Sequence, residues 1–199
     1  PNAIAGQRVR ARVSLCKRRH AEARITAVLK RAPEEVEVPY QAIPGAPYIT
    51  LPLSVQKDQK EKTTLDVYRR IGEVPNIEAC YEGWMDSPSG FHYRNKMEYS
   101  FSCIEHDLET DSELDDAFAL GFKRRGTWWK VESLNKASGL FDENWENKLK
   151  EVRSFLQKTG LPAWHPPQKK GFFRHIVVRK SFLNDQLLIN LVTSQDGLE

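Results

Sequence analysis

Residues 7–15 alternate strictly between apolar and polar side chains, with arginine at three of the polar positions, and this pattern limits the possible folds more than any other feature of the sequence. Because successive side chains of a strand point to opposite faces, the pattern predicts a half-buried strand with one arginine-bearing face. Residues 17–20 are basic and predict a turn, after which residues 21–30 form the returning strand. A lone hairpin is only marginally stable in water. We therefore expect its apolar face to be covered by the rest of the chain or by strands that the chain lacks.

The rest of the sequence predicts an α+β fold with a mainly antiparallel sheet and flanking helices. A proline-rich loop at 39–52 leads to a polar surface helix, with Ser54 as its N-cap and Gly72 at its end. A second helix is predicted at about 142–159, where Trp145, Leu149, Val152 and Leu156 form a stripe with Phe155 beside it. Strands are predicted at 91–104, 117–123, 127–133, 172–180 and 187–193, and the acidic segment 105–116 is predicted as a surface loop.

The positive charge of the chain is concentrated in its first residues. The formal net charge is +3, but residues 1–31 hold nine Lys and Arg against a single acid, Glu22. A basic segment joined to a mildly acidic body is typical of a protein that binds a polyanion, RNA or DNA first. The alternative is an ordinary solvated surface.

The sequence favours a cytoplasmic protein that does not enter the membrane. No apolar run approaches the roughly 18 residues of a membrane helix, and the first residues lack a signal-peptide pattern. The cysteines Cys16, Cys80 and Cys103 are too widely spaced for a metal pair or a disulfide framework. We expect them to be single thiols that pack as small apolar side chains.

The usual catalytic templates are absent from the sequence. It contains no GxxxxGK[ST], GxGxxG, HExxH or GxSxG motif, and its five histidines do not have metal-ligand spacing. A cofactor-binding βαβ unit with a glycine-rich turn is also absent. We therefore expect no catalytic residue, no metal ligand and no self-contained active site in this chain.

Cations alternate with aromatic residues on three of the predicted strands. Arg94 and Lys96 lie between Tyr93 and Tyr99, the basic turn at 123–126 precedes two tryptophans, and Arg174 and Arg179 flank an apolar run. Such residues can grip phosphates and stack on unpaired bases. The alternative is a sheet with an ordinary charged outer face.

The same three segments resemble a known family. Residues 93–101 read YRNKMEYSF and are similar to the YRNKxExSF strand of the RNA uracil-C5 methyltransferases (the TrmA/RumA type). Residues 121–126 with 131–132 resemble the family's GFxxxG…V strand pair, and residues 174–179 with 188–193 resemble its RHxxVR…vNLVT hairpin. At the start, residues 5–9 and 21–24 resemble strands in the second half of the small RNA-binding TRAM barrel of these enzymes.

The resemblance implies a division of the chain into three parts. Residues 1–38 would be the C-terminal half of a TRAM-like, OB-like barrel, 39–72 a connecting loop and surface helix, and 73–199 a central α+β domain. In the family, the S-adenosylmethionine site, the nucleophilic cysteine and its partner glutamate lie in a further domain, which would begin just after Thr193. We therefore expect this chain to be a fragment that is inactive alone. Many members also hold an iron–sulfur cluster, but the loop at 38–47 has no cysteine and the later ligand position falls near Lys136. We expect no cluster here.

The expected function is therefore the RNA-binding portion of an S-adenosylmethionine-dependent RNA (uracil-C5-)-methyltransferase, with structured 23S rRNA favoured over tRNA. The residues predicted to contact RNA are Arg12, Lys17, Arg18, Arg19 and Arg24 of the hairpin, followed by Arg94, Lys96, Arg124, Arg125 and Arg174. Two alternatives stay open. The chain could be a stand-alone RNA-binding or ribosome-associated module without catalytic activity, or a scaffold for an acidic protein partner.

Overall fold

The computed structural model describes residues 3–108 and 110–197, and their contacts divide into two compact units. The first unit contains the described residues up to Val38 together with Pro47–Gly90. The second contains Pro39–Ala46 and the described residues from Phe91 onward. The chain therefore passes from one unit to the other at 38/39, 46/47 and 90/91. These positions differ from the sequence-based division at 38 and 72, and the TRAM-like origin of the first residues stays a prediction.

The first unit contains the predicted hairpin. Strand β1 (Arg8–Cys16) pairs antiparallel with β2 (Ala21–Lys30), and the backbone amide of Lys17 donates to the His20 carbonyl, 2.8 Å away, to close the turn. Irregularities in the ladder shift the register, so that Val9 lies opposite Val28 and Ala27 lies opposite Arg10. The simple alternation predicted for the returning strand, with Ala27 on its apolar side, is therefore interrupted.

Helix α1 (Leu53–Arg70) follows the hairpin, and the short helix α2 (Ile77–Cys80) completes the first unit. The predicted cap at Ser54 is wrong, because the N-cap is Pro52, two residues earlier, and the helix begins at Leu53. The Pro52 carbonyl accepts the first helical hydrogen bond from the Gln56 amide, 3.0 Å away. Helix α1 buries none of its residues, which agrees with its predicted surface position.

The apolar face of the hairpin stays exposed. The buried core of the first unit consists of Ile4, Ala32 and Leu51. By contrast, Val13 is 58% exposed and Val28 is 48% exposed. The described part of this chain therefore does not supply the cover that the sequence led us to expect.

The second unit is a seven-stranded sheet with one helix packed against it. Its strand order is β5-β4-β7-β6-β3-β8-β9, and every pair is antiparallel except β4–β7. This confirms the predicted α+β class with a mainly antiparallel sheet. The strands are β3 (Lys96–Ser102), β4 (Glu105–Asp107), β5 (Ser112–Leu114), β6 (Ala119–Lys123), β7 (Val131–Ser133), β8 (Phe173–Lys180) and β9 (Leu187–Thr193). Because β4 and β5 lie within 105–116, the prediction of a loop there is wrong.

Helix α3 (Glu143–Gln157) packs on one face of this sheet. Its Trp145 and Leu149 join Tyr99 and Phe101 of β3 in the largest buried cluster. Asp142 caps the helix by accepting from the Trp145 amide, 2.8 Å away. The predicted stripe is confirmed for the buried positions, but Phe155 beside it is 70% exposed.

The proline-rich segment Pro39–Ala46 is part of the second unit and is held by specific hydrogen bonds. The Gln41 side-chain amide donates to the Ser133 carbonyl, 2.8 Å away, while its oxygen accepts from the Asn135 amide, 2.9 Å away. Ile43 of the same segment is buried in the main cluster. Polar side-chain contacts and apolar packing therefore fix this segment in place.

The three cysteines differ in how far they are buried. Cys16 and Cys80 are exposed and Cys103 is partly buried, so the prediction that they pack as buried apolar side chains is wrong for the first two. Both lie at ends of elements, where few side chains surround them.

Among the helices of the described residues, none is long and apolar enough to cross a membrane.

Candidate nucleic-acid interface

Two arginines face each other across the hairpin. Arg12 of β1 lies directly opposite Arg24 of β2, and both are exposed. In the part of the chain that the structure describes, neither guanidinium forms an ion pair with a carboxylate. Like charges at directly opposed positions destabilise an antiparallel pair. An anion bound between them would remove this repulsion.

The turn of the hairpin adds three further cations. Lys17, Arg18 and Arg19 are all exposed. They follow Arg12 by five to seven residues, which places the turn within about 20 Å of the arginine pair along the strand. The structure therefore brings the five hairpin residues predicted from the sequence onto one exposed basic element.

The second unit has its own pair of opposed cations. Lys96 of β3 lies opposite Arg179 of β8, and both are exposed. Neither takes part in an ion pair among residues 3–108 and 110–197. Lys96 was predicted as a site residue, whereas Arg179 was noted on its strand but was not included in the predicted site. Only the strand register, which the sequence does not reveal, places the two side by side.

The cations at positions 94, 124 and 125 have different surroundings. Arg94 is exposed, with its guanidinium carbon 6.0 Å from the centre of the Tyr93 ring, and it borders a cleft of about 300 Å³ together with Lys96. Arg125 is also exposed. Arg124 is partly buried and donates to Glu132 Oε1, 3.0 Å away, and to Asp111 Oδ1, 3.1 Å away. The positive charge of Arg124 is thus balanced within the fold.

Glu132, the partner of Arg124, shows why this ion pair is structural. Its carboxylate is buried. Burial raises the pKa of Glu132, and the nearby Arg124 guanidinium lowers it only in part. Removing Arg124 would leave a carboxylate without its partner in a poorly solvated position, which is strongly unfavourable.

The guanidinium of Arg174 lies over an aromatic ring. Its guanidinium carbon is 4.0 Å from the centre of the Trp164 ring. The neighbouring His175 is half-buried, with Nδ1 3.6 Å from Glu98 Oε1. Burial lowers the pKa of His175; Glu98 raises it, while Lys123 and Arg174 lower it further. The balance favours neutral His175 between cationic neighbours.

The described residues contain neither a metal-ligand cluster nor a strand–helix crossover of the kind that binds adenine cofactors. No group of three or more His, Cys, Asp or Glu side chains in them is placed to hold a metal ion. Their single parallel strand pair, β4–β7, is joined through β5 and β6, without a strand–helix crossover and its glycine-rich turn. The expected absence of an iron–sulfur cluster stays a prediction.

The fold is that of a tRNA methyltransferase of known structure. The structure of the Pyrococcus abyssi tRNA (uracil-54, C5)-methyltransferase in complex with S-adenosyl-L-homocysteine aligns with all of this chain and with 42% of its own, with a TM-score of 0.65 and 19% identity. At that identity, the similarity shows the fold alone. No family model matches the chain.

Sequence comparison identifies relatives along almost the whole chain. A protein named as an RNA methyltransferase from Caldanaerobacter subterraneus is 34% identical over 96% of this chain and 40% of its own length. Another from Chlorobaculum tepidum is 30% identical over 95% of this chain and 40% of its own. The tRNA (uracil(54)-C(5))-methyltransferase of Pyrococcus horikoshii is 26% identical over 56% of this chain and 24% of its own length.

Along almost its whole length the chain is therefore similar to proteins named RNA methyltransferases, and over part of it to a tRNA (uracil(54)-C(5))-methyltransferase, which confirms the resemblance seen in its motifs. It spans about 40% of the length of the curated relatives that it matches along its whole length.

Proposed function

We propose that this chain is the RNA-binding portion of an S-adenosylmethionine-dependent RNA (uracil-C5-)-methyltransferase that acts in the cytoplasm. The favoured substrate is structured 23S rRNA, with tRNA as the alternative. The proposal assigns the cofactor and the reacting groups to parts of the whole protein outside this chain, so that this chain alone is inactive. Its support is the relationship to RNA methyltransferases over 96% of the chain, together with the exposed cations of the hairpin.

The opposed arginines of the hairpin carry the proposal. Arg12 and Arg24 are placed where like charges are unfavourable, and the described residues supply no carboxylate to either. An RNA phosphate can accept hydrogen bonds from both guanidinium groups and neutralise their repulsion. A purely structural role would instead favour one cation and one anion at these positions.

A charge-reversal variant of the turn tests the RNA contact. We expect Lys17→Glu, Arg18→Glu and Arg19→Glu together to weaken binding of a 23S rRNA transcript by about 100-fold or more, at roughly 1 kcal/mol for each lost phosphate contact. Each lost contact should also lower the slope of log affinity against log salt by about 0.7 to 0.9. Affinity and slope are measured by filter binding or fluorescence anisotropy at several salt concentrations.

A matched variant controls for net charge. Lys148→Glu, Lys150→Glu and Lys158→Glu change the charge equally at three exposed positions on or just after α3. This control should retain most of the affinity for RNA. If both triple variants bind as tightly as the unmodified chain, the hairpin does not contact RNA. If both lose affinity equally, the effect comes from net charge and not from the hairpin.

Activity of the whole protein tests the enzymatic part of the proposal. Since the chain spans 40% of its relatives, the native protein should have about two and a half times the 22.9 kDa mass of this chain. The whole protein should transfer a labelled methyl group from S-adenosylmethionine to C5 of uracil in RNA. A native mass near that of this chain, with RNA binding but no transfer, would instead favour a stand-alone RNA-binding module.

A further inference from the structure

The aromatic stack of Arg174 on Trp164 is held in place by the backbone on both sides. The Trp164 amide donates to the Phe173 carbonyl, 3.0 Å away, and the Cys103 amide donates to the Trp164 carbonyl, 2.9 Å away. The two ends of this loop also pack tightly against each other, since a Cβ on Gly171 would lie 2.3 Å from the Ala163 carbonyl oxygen. The indole ring is therefore attached to a loop that is fixed to β8 and to the end of β3.

The guanidinium of Arg174 has a ring contact on one face, but its N–H groups have no hydrogen-bond acceptor among the described residues. Its guanidinium rests on the indole at 4.0 Å, yet it forms no ion pair or side-chain hydrogen bond with any residue that the structure describes. A guanidinium carries five N–H donors, and a half-buried one usually finds acceptors for them within the protein. Here the ring fixes the orientation of the plane while the donors stay available to a ligand.

The surroundings favour an anionic ligand. Lys123 of β6 and Arg174 of β8 both act electrostatically on His175, so His175 lies near two cations. The loop before β8 adds Lys169 and Lys170, which are exposed. A nucleic-acid strand would find its phosphates attracted here, while the planar guanidinium presents the kind of surface on which an unpaired base stacks.

We propose that Trp164 and Arg174 form a platform on which one unpaired base of the RNA stacks, with the guanidinium between the indole and the base. This inference rests on the proposed function, because it specifies how a single-stranded part of the same RNA is held. Arginine is required because a planar cation stacks on rings at both faces, whereas a lysine ammonium provides the charge without the plane.

Two variants of the full chain test the platform without changing its charge. Arg174→Lys retains the positive charge, and Trp164→Leu removes the ring beneath Arg174. The probes are a labelled twelve-nucleotide uridine RNA and the same ribose–phosphate strand with every base absent. Arg70→Lys is the matched control, because Arg70 is exposed at the end of α1, outside the candidate interface, and no ring among the described residues lies under it.

We expect Arg174→Lys to weaken binding of the uridine RNA by roughly 5- to 150-fold, the range measured for loss of one base stack. Its binding of the baseless strand and its salt slope should not change, and Arg70→Lys should bind both strands within about twofold of the unmodified chain. Trp164→Leu should reproduce the loss. If Trp164→Leu unfolds at a lower temperature than the unmodified chain, the result for Arg174→Lys alone tests the platform.

Four results would overturn the platform. Unchanged binding of both strands by Arg174→Lys excludes stacking. An equal loss for both strands shows that Arg174 contacts a phosphate and not a base. If the unmodified chain binds neither strand and no 23S rRNA transcript, the proposed function fails together with the platform, whereas binding of the transcript with no effect of Arg174→Lys refutes the platform alone.

Discussion

The buried carboxylate of Glu146 gives the clearest prediction for stability. Glu146 is 1% exposed and accepts hydrogen bonds from the Tyr99 hydroxyl at 3.0 Å and from the Ser138 amide at 2.6 Å. The Ser138 hydroxyl donates to the same carboxylate. These contacts join α3 to β3 and to the segment before the helix. Tyr99→Phe removes one donor while keeping the ring that fills the core.

The expected cost of Tyr99→Phe depends on the ionisation of Glu146. A hydrogen bond to a charged group contributes about 1.5–3 kcal/mol, and one between neutral groups about 0.5–1.5 kcal/mol. Burial raises the pKa of Glu146 above its usual value, although the Ser138 and Tyr99 donors lower it in part. The folded state therefore holds this proton more tightly than the unfolded state. As the pH rises from the unfolded pKa through the folded one, stability is lost.

Removing the Tyr99 donor raises the folded pKa of Glu146 further, so the variant loses more stability at high pH than at low pH. We expect Tyr99→Phe to lower the free energy of unfolding by about 2 kcal/mol at pH near 8 and by about 1 kcal/mol at pH near 4. Urea titrations monitored by tryptophan fluorescence measure both values. Tyr93→Phe, with its ring 49% exposed, is the control and should cost less than about 0.5 kcal/mol. Equal costs for the two variants, or a cost independent of pH, would refute the reasoning.

Two further predictions concern the hairpin and the cap of α3. Arg12→Glu should stabilise the hairpin by up to about 1 kcal/mol, because it places an opposite charge across from Arg24. Amide hydrogen exchange in β1 should therefore slow by up to about fivefold while RNA affinity falls; faster exchange would contradict the pairing. Asp142→Ala should cost about 2 kcal/mol at neutral pH, because Asp142 caps α3 and accepts from Lys180 Nζ, 2.6 Å away. Burial opposes ionisation, yet Lys180 and the Trp145 amide hold the pKa of Asp142 below its usual value, so this cost should disappear as the pH falls through that lowered pKa. Asp185→Asn, at the exposed second partner of Lys180, is the control for urea titrations and should change stability little, because Asn tolerates the φ of 58° at this position.

Elements with a strong hydrophobic period were predictable from the sequence. The hairpin was predicted at 7–15 and 21–30 and lies at Arg8–Cys16 and Ala21–Lys30. The helix predicted at about 142–159 lies at Glu143–Gln157. In both cases one face carries apolar side chains at a regular interval, so the pattern and the structure agree.

Elements that depend on distant partners were not predictable in the same way. The strand predicted from residue 91 begins only at Lys96, because the Arg94 amide donates to the Leu140 carbonyl and His92 adopts a φ of 54°. The three-residue strands β4 and β5 are too short to show a period. Their pairing comes from neighbours that the local sequence does not identify.

The candidate site likewise combines features that the sequence predicts with features that depend on contacts formed in the fold. Exposure of the hairpin cations followed from their strict alternation and from the basic turn. The internal partners of Arg124 and the stack of Arg174 on Trp164 depend on residues brought together by the fold. The sequence marked both arginines only as cations near aromatic residues, so it could not distinguish a neutralised guanidinium from one that is oriented for a ligand.

The crossing of the chain between its two units has a consequence for the order of events on the ribosome. Gln41 and Ile43 belong to the second unit. The side-chain oxygen of Gln41 accepts a hydrogen bond from the backbone amide of Asn135, which is synthesised 94 residues later. At about 5–20 residues per second, this segment waits roughly 5 to 20 s for its partners. During that time all of the first unit has been translated. The first unit can therefore fold before this segment finds its partners, and the second unit is complete only after β8 and β9 have been synthesised.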